Sequence, residues 1–380
     1  MKKLRFPLAL FAFYFLIAVV VTYPLIFNFS STIYGIPERT ADSFGTIYNR
    51  FFLQKENSSG LPYMFIVGGV GQWLAKAVNE VFAYNFLILL SFPLAGMAMY
   101  FLALEVTKNN YASVLAGFIF AFAPLHRRYS FEWLGMAQWH WLPLYVLALL
   151  KLDKTKSVKW GLLTGLMFSI VLVENYYFGY FLIFFTLAFV LFRIFQTYAT
   201  ARKFYLDNAR LLSYLLALGV IIVLTLPITS TFVGETQRLA AGEREEIGGF
   251  VRDEWSRFAF SARPWFYLLP DVHHPVFGTT VQEIYDWLAT KPPLFLTKPF
   301  YPREHSLFLG WTTLFLVVVA VKGMKGTVPN TVAMTAFKEK KKAPAAEGKP
   351  EGLAEEPVGL RNSAASIYVP LFLFLGIVMM

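Results

Sequence analysis

The fold is decided by the apolar run that opens the chain, FPLALFAFYFLIAVVVTYPLIF from Phe6 to Phe27. The run is about as long as the roughly 20 residues that an α-helix needs to cross a bilayer. No small-x-small cleavage site closes it, so we interpret it as a retained transmembrane helix and not as a signal peptide. Lys2, Lys3 and Arg5 precede the run, which predicts an N-terminus in the cytoplasm.

The composition of the whole chain also indicates a membrane protein. Hydrophobic residues make up 57% and charged residues only 15%, so the apolar surface exceeds what one globular core can hide. This excludes an enzyme of the soluble type. The net charge is +10, but Lys and Arg crowd the ends of the apolar runs, so we expect the lipid bilayer and no nucleic acid as a partner. The chain has no cysteine, which excludes a thiolate metal site and a cysteine nucleophile.

Further apolar runs predict an all-α polytopic membrane protein with about eight complete spans. After the first run, the predicted spans are 81–104, 111–124, 139–150, 160–173, 178–192, 211–228 and 307–321. The stretch 61–78 carries too many glycine and polar residues for a span, and we interpret it as a helix along the membrane face. The basic loop 151–159 indicates the cytoplasmic side.

The pattern divides the chain into three parts. Residues 1–321 are the predicted polytopic membrane domain, with external loops 28–80 and 229–306. Residues 322–366 are rich in Lys, Ala, Pro, Glu and Gly, which predicts a disordered cytoplasmic linker. Residues 367–380 begin a further transmembrane helix that is too short to cross a bilayer, so we expect the chain to be the N-terminal part of a longer protein.

The first external loop carries the candidate catalytic residue, Asp42. It follows Pro24, where the chain leaves the membrane, and lies in a polar, turn-rich segment of an otherwise apolar protein. We interpret this segment as the active-site loop. The sequence Thr-Ala-Asp-Ser-Phe-Gly is also a good helix start, so Asp42 is equally a candidate N-cap, and the two roles are compatible.

Charged residues at other membrane exits are candidate binding residues. His126, Arg127 and Arg128 follow Pro124 in a predicted external loop, against the positive-inside bias. Either the arginines extend to lipid phosphates, or they bind a phosphate or pyrophosphate of a ligand, whose oxygens match the guanidinium fork. Glu174, at the outer end of a span, is either solvated among the headgroups or faces a water-filled cavity.

The long external loop contains a cluster of aromatic, proline and histidine residues between Arg263 and Pro275. Proline fixes the backbone and excludes long helices, so we expect this segment to form a shaped lid over the membrane. His273 and His274 are adjacent, point apart and lack an H-x-x-x-H spacing. We therefore interpret them as residues for substrate positioning, or for packing and capping, and predict no metal ligand. No cofactor is predicted, and a requirement for a divalent cation is left open.

These features together resemble the N-terminal membrane half of the GT-C superfamily, integral membrane glycosyltransferases that use polyprenyl-phosphate-linked sugars. The resemblance covers about Phe6 to Val321. It is carried by the Thr22-Tyr-Pro-Leu exit with Asp42 in the first external loop, the apolar stretches NFLILLSFPLAGMAMYFLA from Asn85 and AGFIFAFAP from Ala116 to Pro124, Trp141-Leu-Pro-Leu, Tyr176-Tyr177, and YPREHSLFLG from Tyr301 to Gly310.

The resemblance implies a glycosyltransferase of the hexosyltransferase type in the plasma membrane. It would move a sugar from a polyprenyl-phosphate donor to a glycan, lipid or protein acceptor on the non-cytoplasmic face. In such an inverting transfer Asp42 would take the proton from the acceptor hydroxyl, and Arg127 with Arg128 would stabilise the departing phosphate. Arg263 would assist them, and Glu174 would orient the acceptor.

A protein that binds a lipid-linked glycan without chemistry is the alternative: a transporter, a flippase or an accessory membrane subunit. Such a protein would explain the external arginines and the membrane-bound lid equally well. The sequence has no visible inverted repeat and no charged residue in the middle of a span, and both observations argue against a transporter.

Overall fold

The computed structural model describes residues 2–35, 46–47, 64–201, 207–241, 261–272, 274, 276–292, 307–308 and 310–326. These ranges are mainly helical and contain no β-strand, which confirms the predicted all-α membrane class. The α-helices within them are α1 (Lys2–Val21), α2 (Phe65–Ala77), α3 (Glu80–Thr107), α4 (Asn110–Ala121), α5 (Pro124–Glu132), α6 (Trp141–Thr155), α7 (Val158–Glu174), α8 (Tyr176–Ala201), α9 (Asn208–Ala240), α10 (Gly278–Leu288) and α11 (Trp311–Gly326).

A helix lies at each position where an apolar run predicted a span. In the described ranges, three segments are both long and apolar enough to cross a bilayer: α3, Tyr176–Tyr198 of α8 and Asn208–Thr231 of α9. Arg5–Val21 and Asn110–Ala121 are shorter apolar helices. The stretch predicted as a surface helix contains α2, and its placement along the membrane stays a prediction.

Proline is involved at two boundaries that differ from the sequence prediction. Pro124 is the first residue of α5, where its fixed φ suits the first turn and its missing N–H costs nothing. His126, Arg127 and Arg128 therefore lie on a short helix and not in a loop. Pro227 lies inside α9, which continues to Ala240, so the loop predicted from residue 229 is helical at its start. Bilayer helices tolerate such prolines better than soluble helices do.

The core is built around α3, which packs against α1, α2, α4 and α6. The helices α3 and α4 approach closely, because a Cβ on Gly117 would lie 2.5 Å from the carbonyl oxygen of Gly96. Tyr14 of α1 fills the adjoining space, and its hydroxyl donates a hydrogen bond to the carbonyl of Val114 at 2.8 Å. Small residues thus let the three backbones meet, as in other membrane bundles. The helix α7 forms a second centre, because it contacts α6, α8 and α9.

The bundle has two chemically different ends. At one end, Glu105 pairs with Lys108, Lys151 and Lys154, and the buried Asp153 lies 2.9 Å from Arg193 and 3.7 Å from Arg210. We call this the ion-paired end. The other end is formed by the segment after α1, the starts of α3, α6 and α8, the helix α5 and the end of α7. We call it the aromatic end, after the rings of its members Tyr34, His126, Trp139, His140 and Trp141.

The segment 261–292 has a small core of its own. Phe266 precedes α10 and packs with Val281, Tyr285 and Leu288 of that helix and with Leu307. Whether this segment covers the membrane as a lid stays a prediction. The helix α11 belongs to a second compact unit that begins after residue 308. It ends at Gly326, within the stretch predicted as a linker; residues 327–366 and the predicted helix start 367–380 lie outside the described residues.

Candidate functional site

Asn85 organises the aromatic end from the first turns of α3, where it is fully buried. Its Nδ2 donates hydrogen bonds to the carbonyl oxygens of Phe29 and Thr32, both at 2.8 Å, and its Oδ1 accepts one from the N–H of Tyr34 at 3.0 Å. One side chain thus satisfies three backbone groups of the segment that follows α1. Leaving such groups unpaired is costly, so Asn85 fixes the start of the loop that carries Asp42 in the sequence.

Tyr34 connects this loop to α5. Its hydroxyl faces the side chains of Arg127 and Ser130, and Ser130 donates a hydrogen bond to the carbonyl of Arg127 at 2.6 Å. Burial raises the pKa of Tyr34 to about 12, although Arg127 and Ser130 act in the opposite direction. The phenol is therefore neutral near pH 7 and keeps its proton to donate. The Arg127 side chain is exposed, and Nε and Nη2 of Arg128 are shielded from solvent.

His126 is fully buried beneath this surface. Its Nδ1 lies 2.6 Å from the carbonyl oxygen of Ala121, and its Nε2 lies 2.8 Å from that of Ala137. The ring stacks on Trp139 at a centroid distance of 4.8 Å and contacts Phe92 at the same distance. Burial lowers the pKa of His126, and the two carbonyl contacts oppose that effect. The ring holds the end of α4 against the connection between α5 and α6, and its predicted contact with substrate stays a prediction.

Glu174 is the last residue of α7 and is only 1% exposed. Its Oε2 accepts a hydrogen bond from the N–H of Val67 at 3.3 Å, and its Oε1 accepts one from the N–H of Ile66. Both N–H groups belong to the first turn of α2, where free donors and the helix dipole favour an anion. Met64, the N-cap residue of α2, makes no side-chain cap. Glu174 therefore caps α2 from elsewhere in the chain; its predicted role in orienting an acceptor is untested.

The candidates of the long loop lie in the segment 261–292. The Nδ1 of His274 accepts hydrogen bonds from the N–H groups of Val276 and Phe277, both at 3.2 Å. His274 thus caps the turn that leads into α10. Burial lowers the pKa of Arg263, the residue just before the short 3₁₀ turn Pro264–Tyr267. His273 lies outside the described residues.

A scan against family models gives the affiliation of the chain. The model described as bacterial membrane protein YfhO matches residues 8–242, which run from α1 to the end of α9. The chain belongs to the YfhO family. Comparisons with curated proteins and with solved structures found no match. The protein is therefore a bacterial integral membrane protein, and both ends of its bundle lie within the matched region.

For this YfhO family member, the base candidate Asp42 lies in the matched region but outside the described residues. Its roles as base and as N-cap both stay predictions. Arg263, His273 and His274 follow the matched region. In the described ranges, no three His, Asp or Glu side chains come together in a way that would hold a metal ion.

The sequence reasoning missed Asn85, Tyr34 and Ser130, which connect the predicted site residues of this YfhO family member. Asn85 is an amide inside an apolar span, and that was the available signal, because a buried amide requires partners. Its partners lie 51 to 56 residues away in the sequence, so the spacing gave no indication of which groups they are.

Proposed function

We propose that this YfhO family protein is a membrane glycosyltransferase of the hexosyltransferase type. It moves a sugar from a polyprenyl-phosphate donor to a glycan, lipid or protein acceptor on the non-cytoplasmic face of the plasma membrane. The aromatic end of the bundle is the active end in this proposal, and the N-terminus lies in the cytoplasm.

The observation that carries the proposal is the connection from Asn85 through Tyr34 to Arg127. Asn85 fixes the loop that leads to Asp42, and the Tyr34 hydroxyl of that loop faces the guanidinium of Arg127. The start of the loop that leads to the candidate base thus meets the helix with the candidate phosphate clamp at Tyr34. An inverting transfer needs both groups close to the anomeric carbon, because one removes a proton while the other stabilises the leaving phosphate.

The roles follow from this placement. Asp42 takes the proton of the acceptor hydroxyl as its oxygen attacks the anomeric carbon, and the bond from that carbon to the phosphate oxygen breaks. Arg127, exposed beside the loop, and Arg128 receive the departing lipid phosphate. Tyr34 holds Arg127 in position through its hydroxyl oxygen, which accepts from the guanidinium. Arg263 assists the phosphate clamp, and the histidines of the long loop position the substrate.

The test is sugar transfer from a panel of radiolabelled polyprenyl-phosphate sugars in membranes that express the protein. We expect transfer by the natural chain, a loss of about 100-fold or more in Asp42→Asn, and a similar loss in Arg127→Gln. Asp207→Asn is the matched control, because this acid lies at the ion-paired end beside Lys156 and Arg210. Equal membrane insertion of all variants is measured alongside.

Two outcomes would contradict the proposal. In the first, the natural chain consumes no donor of the panel. In the second, transfer occurs but Asp42→Asn and Asp207→Asn behave alike, which would make Asp42 an N-cap and leave the reaction without its base.

Glycan-lipid binding without chemistry is the second candidate function, as a transporter, flippase or accessory subunit. The observation in its favour is that both carboxylate oxygens of Glu174, a charged group buried at the aromatic end, already accept backbone N–H groups of α2. Retention of labelled lipid-linked sugar by the purified protein without its consumption would favour this function.

A further inference from the structure

Three consecutive residues at the start of α6 carry ring nitrogens that are buried and have no hydrogen-bond partner in the described part of the protein. They are Nε1 of Trp139, Nδ1 of His140 and Nε1 of Trp141. Trp139 is 5% exposed and His140 is 6% exposed. A buried donor without a partner costs about 1–3 kcal/mol, so three of them side by side require an explanation.

The chemistry of these nitrogens restricts their partner. An indole N–H only donates, so Trp139 and Trp141 need a hydrogen-bond acceptor. The imidazole of His140 donates from Nδ1 in one of its two neutral tautomers, and in that form it also needs an acceptor. The partner must therefore offer several acceptor atoms close together.

The position of the three residues favours a negatively charged partner. His140 is the N-cap residue of α6 and makes no side-chain cap, and Trp141 is the first residue of the helix. The positive end of the helix dipole lies here. The backbone contributes few donors of its own, because Pro143 has no N–H and the N–H of Leu142 donates to the carbonyl of Trp139 at 3.2 Å. The side-chain nitrogens take the place that backbone N–H groups have at other helix starts.

The start of α6 also adjoins the arginine helix. Trp139 stacks on His126 at 4.8 Å and contacts Tyr129 edge-on at 6.3 Å, and both of these residues are on α5. Arg127 and Arg128 lie between them in the sequence of that helix. The start of α6 and the arginine helix thus adjoin at the aromatic end.

We propose that Trp139, His140 and Trp141 bind a phosphate group, with oxygens held by the two indole N–H groups and by the imidazole. The inference rests on the proposed function, for which it extends the phosphate clamp of Arg127 and Arg128 to the start of α6. The same chemistry would accept a free phosphate ion or the phosphate of a lipid.

Indole N–H resonances of the purified chain test the inference without turnover. The protein is labelled with ¹⁵N-tryptophan in a polyoxyethylene detergent, which contains neither phosphate nor sugar. Farnesyl phosphate, farnesol and inorganic phosphate are the three probes. We expect farnesyl phosphate to shift the resonances of Trp139 and Trp141, which Trp139→Phe and Trp141→Phe identify. Farnesol should shift neither resonance. None of the three probes should shift the resonance of Trp160, a tryptophan near the ion-paired end.

The titrations also give the affinity. Loss of one donor to a charged acceptor should weaken farnesyl phosphate binding about tenfold. The affinity of Trp141→Phe is measured from its Trp139 resonance. This measurement does not need Trp139→Phe, so it holds even where that variant fails to fold. Trp160→Phe should leave the affinity unchanged. A shift with inorganic phosphate at the same concentration would assign the site to the free anion, and a shift with farnesyl phosphate alone would assign it to a lipid phosphate.

The inference is overturned by equal shifts with farnesol, by the absence of a shift with both phosphates, or by unchanged affinity in Trp141→Phe. Sugar transfer by the same preparations separates this result from the proposed function. Transfer without any indole shift would leave the glycosyltransferase standing and remove the α6 site. Indole shifts without transfer from any donor would keep the site and remove the enzyme.

Discussion

The two ends of the bundle treat polar groups in opposite ways. At the ion-paired end, acidic side chains pair with basic ones: Glu105 pairs with three lysines, and the buried Asp153 pairs with two arginines. At the aromatic end, the fully buried polar side chains Asn85 and His126 contact backbone groups, and the arginines lie on a separate short helix. The acids Glu105 and Asp153 are thus held by ion pairs within the protein. Under our proposal the ion-paired end supports the structure and the aromatic end binds the ligand.

The largest expected effect is at the ion-paired end. Asp153→Ala leaves Arg193 and Arg210, which are 20% and 11% exposed, without their buried carboxylate. Removing one partner of a buried ion pair costs about 3–5 kcal/mol. We expect the free energy of unfolding in detergent to fall by that amount, while farnesyl phosphate affinity per folded molecule stays unchanged. A loss of affinity in the folded fraction would contradict the separation of a structural end from a ligand-binding end.

Asn85→Leu should have the next largest effect. It leaves the carbonyls of Phe29 and Thr32 unpaired inside the protein, at about 1–3 kcal/mol for each group. The chain has no cysteine, so a single Ser31→Cys substitution at this exposed loop position reports on order there. We expect faster labelling of that cysteine by a membrane-impermeant maleimide in the Asn85→Leu background.

Asn79→Leu serves as the comparison for Asn85→Leu, because Asn79 only caps α3 through the N–H of Phe82 at 2.7 Å. It should destabilise the helix start by about 1 kcal/mol and leave the labelling rate at position 31 unchanged. Equal labelling in both backgrounds would mean that Asn85 does not hold the loop.

Glu174→Gln should have a smaller effect, of about 1 kcal/mol. Glutamine keeps one acceptor oxygen for the first turn of α2 but loses the charge that the helix dipole favours. Hydrogen exchange at the amides of Ile66 and Val67 should accelerate, since they donate to Glu174. If sugar transfer falls while exchange at these amides is unchanged, Glu174 would act on the acceptor and not on α2.

The helices were predictable because crossing a bilayer requires about 20 apolar residues in a row, and that length is visible in the sequence. The prolines were harder to interpret. Pro124 begins a helix and Pro227 lies inside one, and the residue type alone does not separate the two cases. Tertiary contacts decide between them, and those are not local in the sequence.

The site was predictable only in its charged members. Arg127 and Arg128 were identified because they stand against the positive-inside bias, and Glu174 because a charge near a membrane is expensive. Their partners were not predictable: Glu174 caps a helix more than 100 residues earlier, and Tyr34 reaches α5 from the first loop. Pairings over such distances depend on how the helices pack.

The smallest expected effect concerns two lysines that pair with Glu105 at the ion-paired end. Lys154 is 65% exposed and lies 3.3 Å from Glu105, whereas Lys151 is 29% exposed and lies 2.5 Å from the same carboxylate. Water and salt screen the first pair, and Glu105 keeps Lys108 and Lys151 when Lys154 is removed. Lys154→Ala should therefore lower the free energy of unfolding by less than about 0.5 kcal/mol, and Lys151→Ala by more. Double-mutant cycles with Glu105→Gln measure both couplings, and equal values would mean that burial does not decide the strength of these pairs.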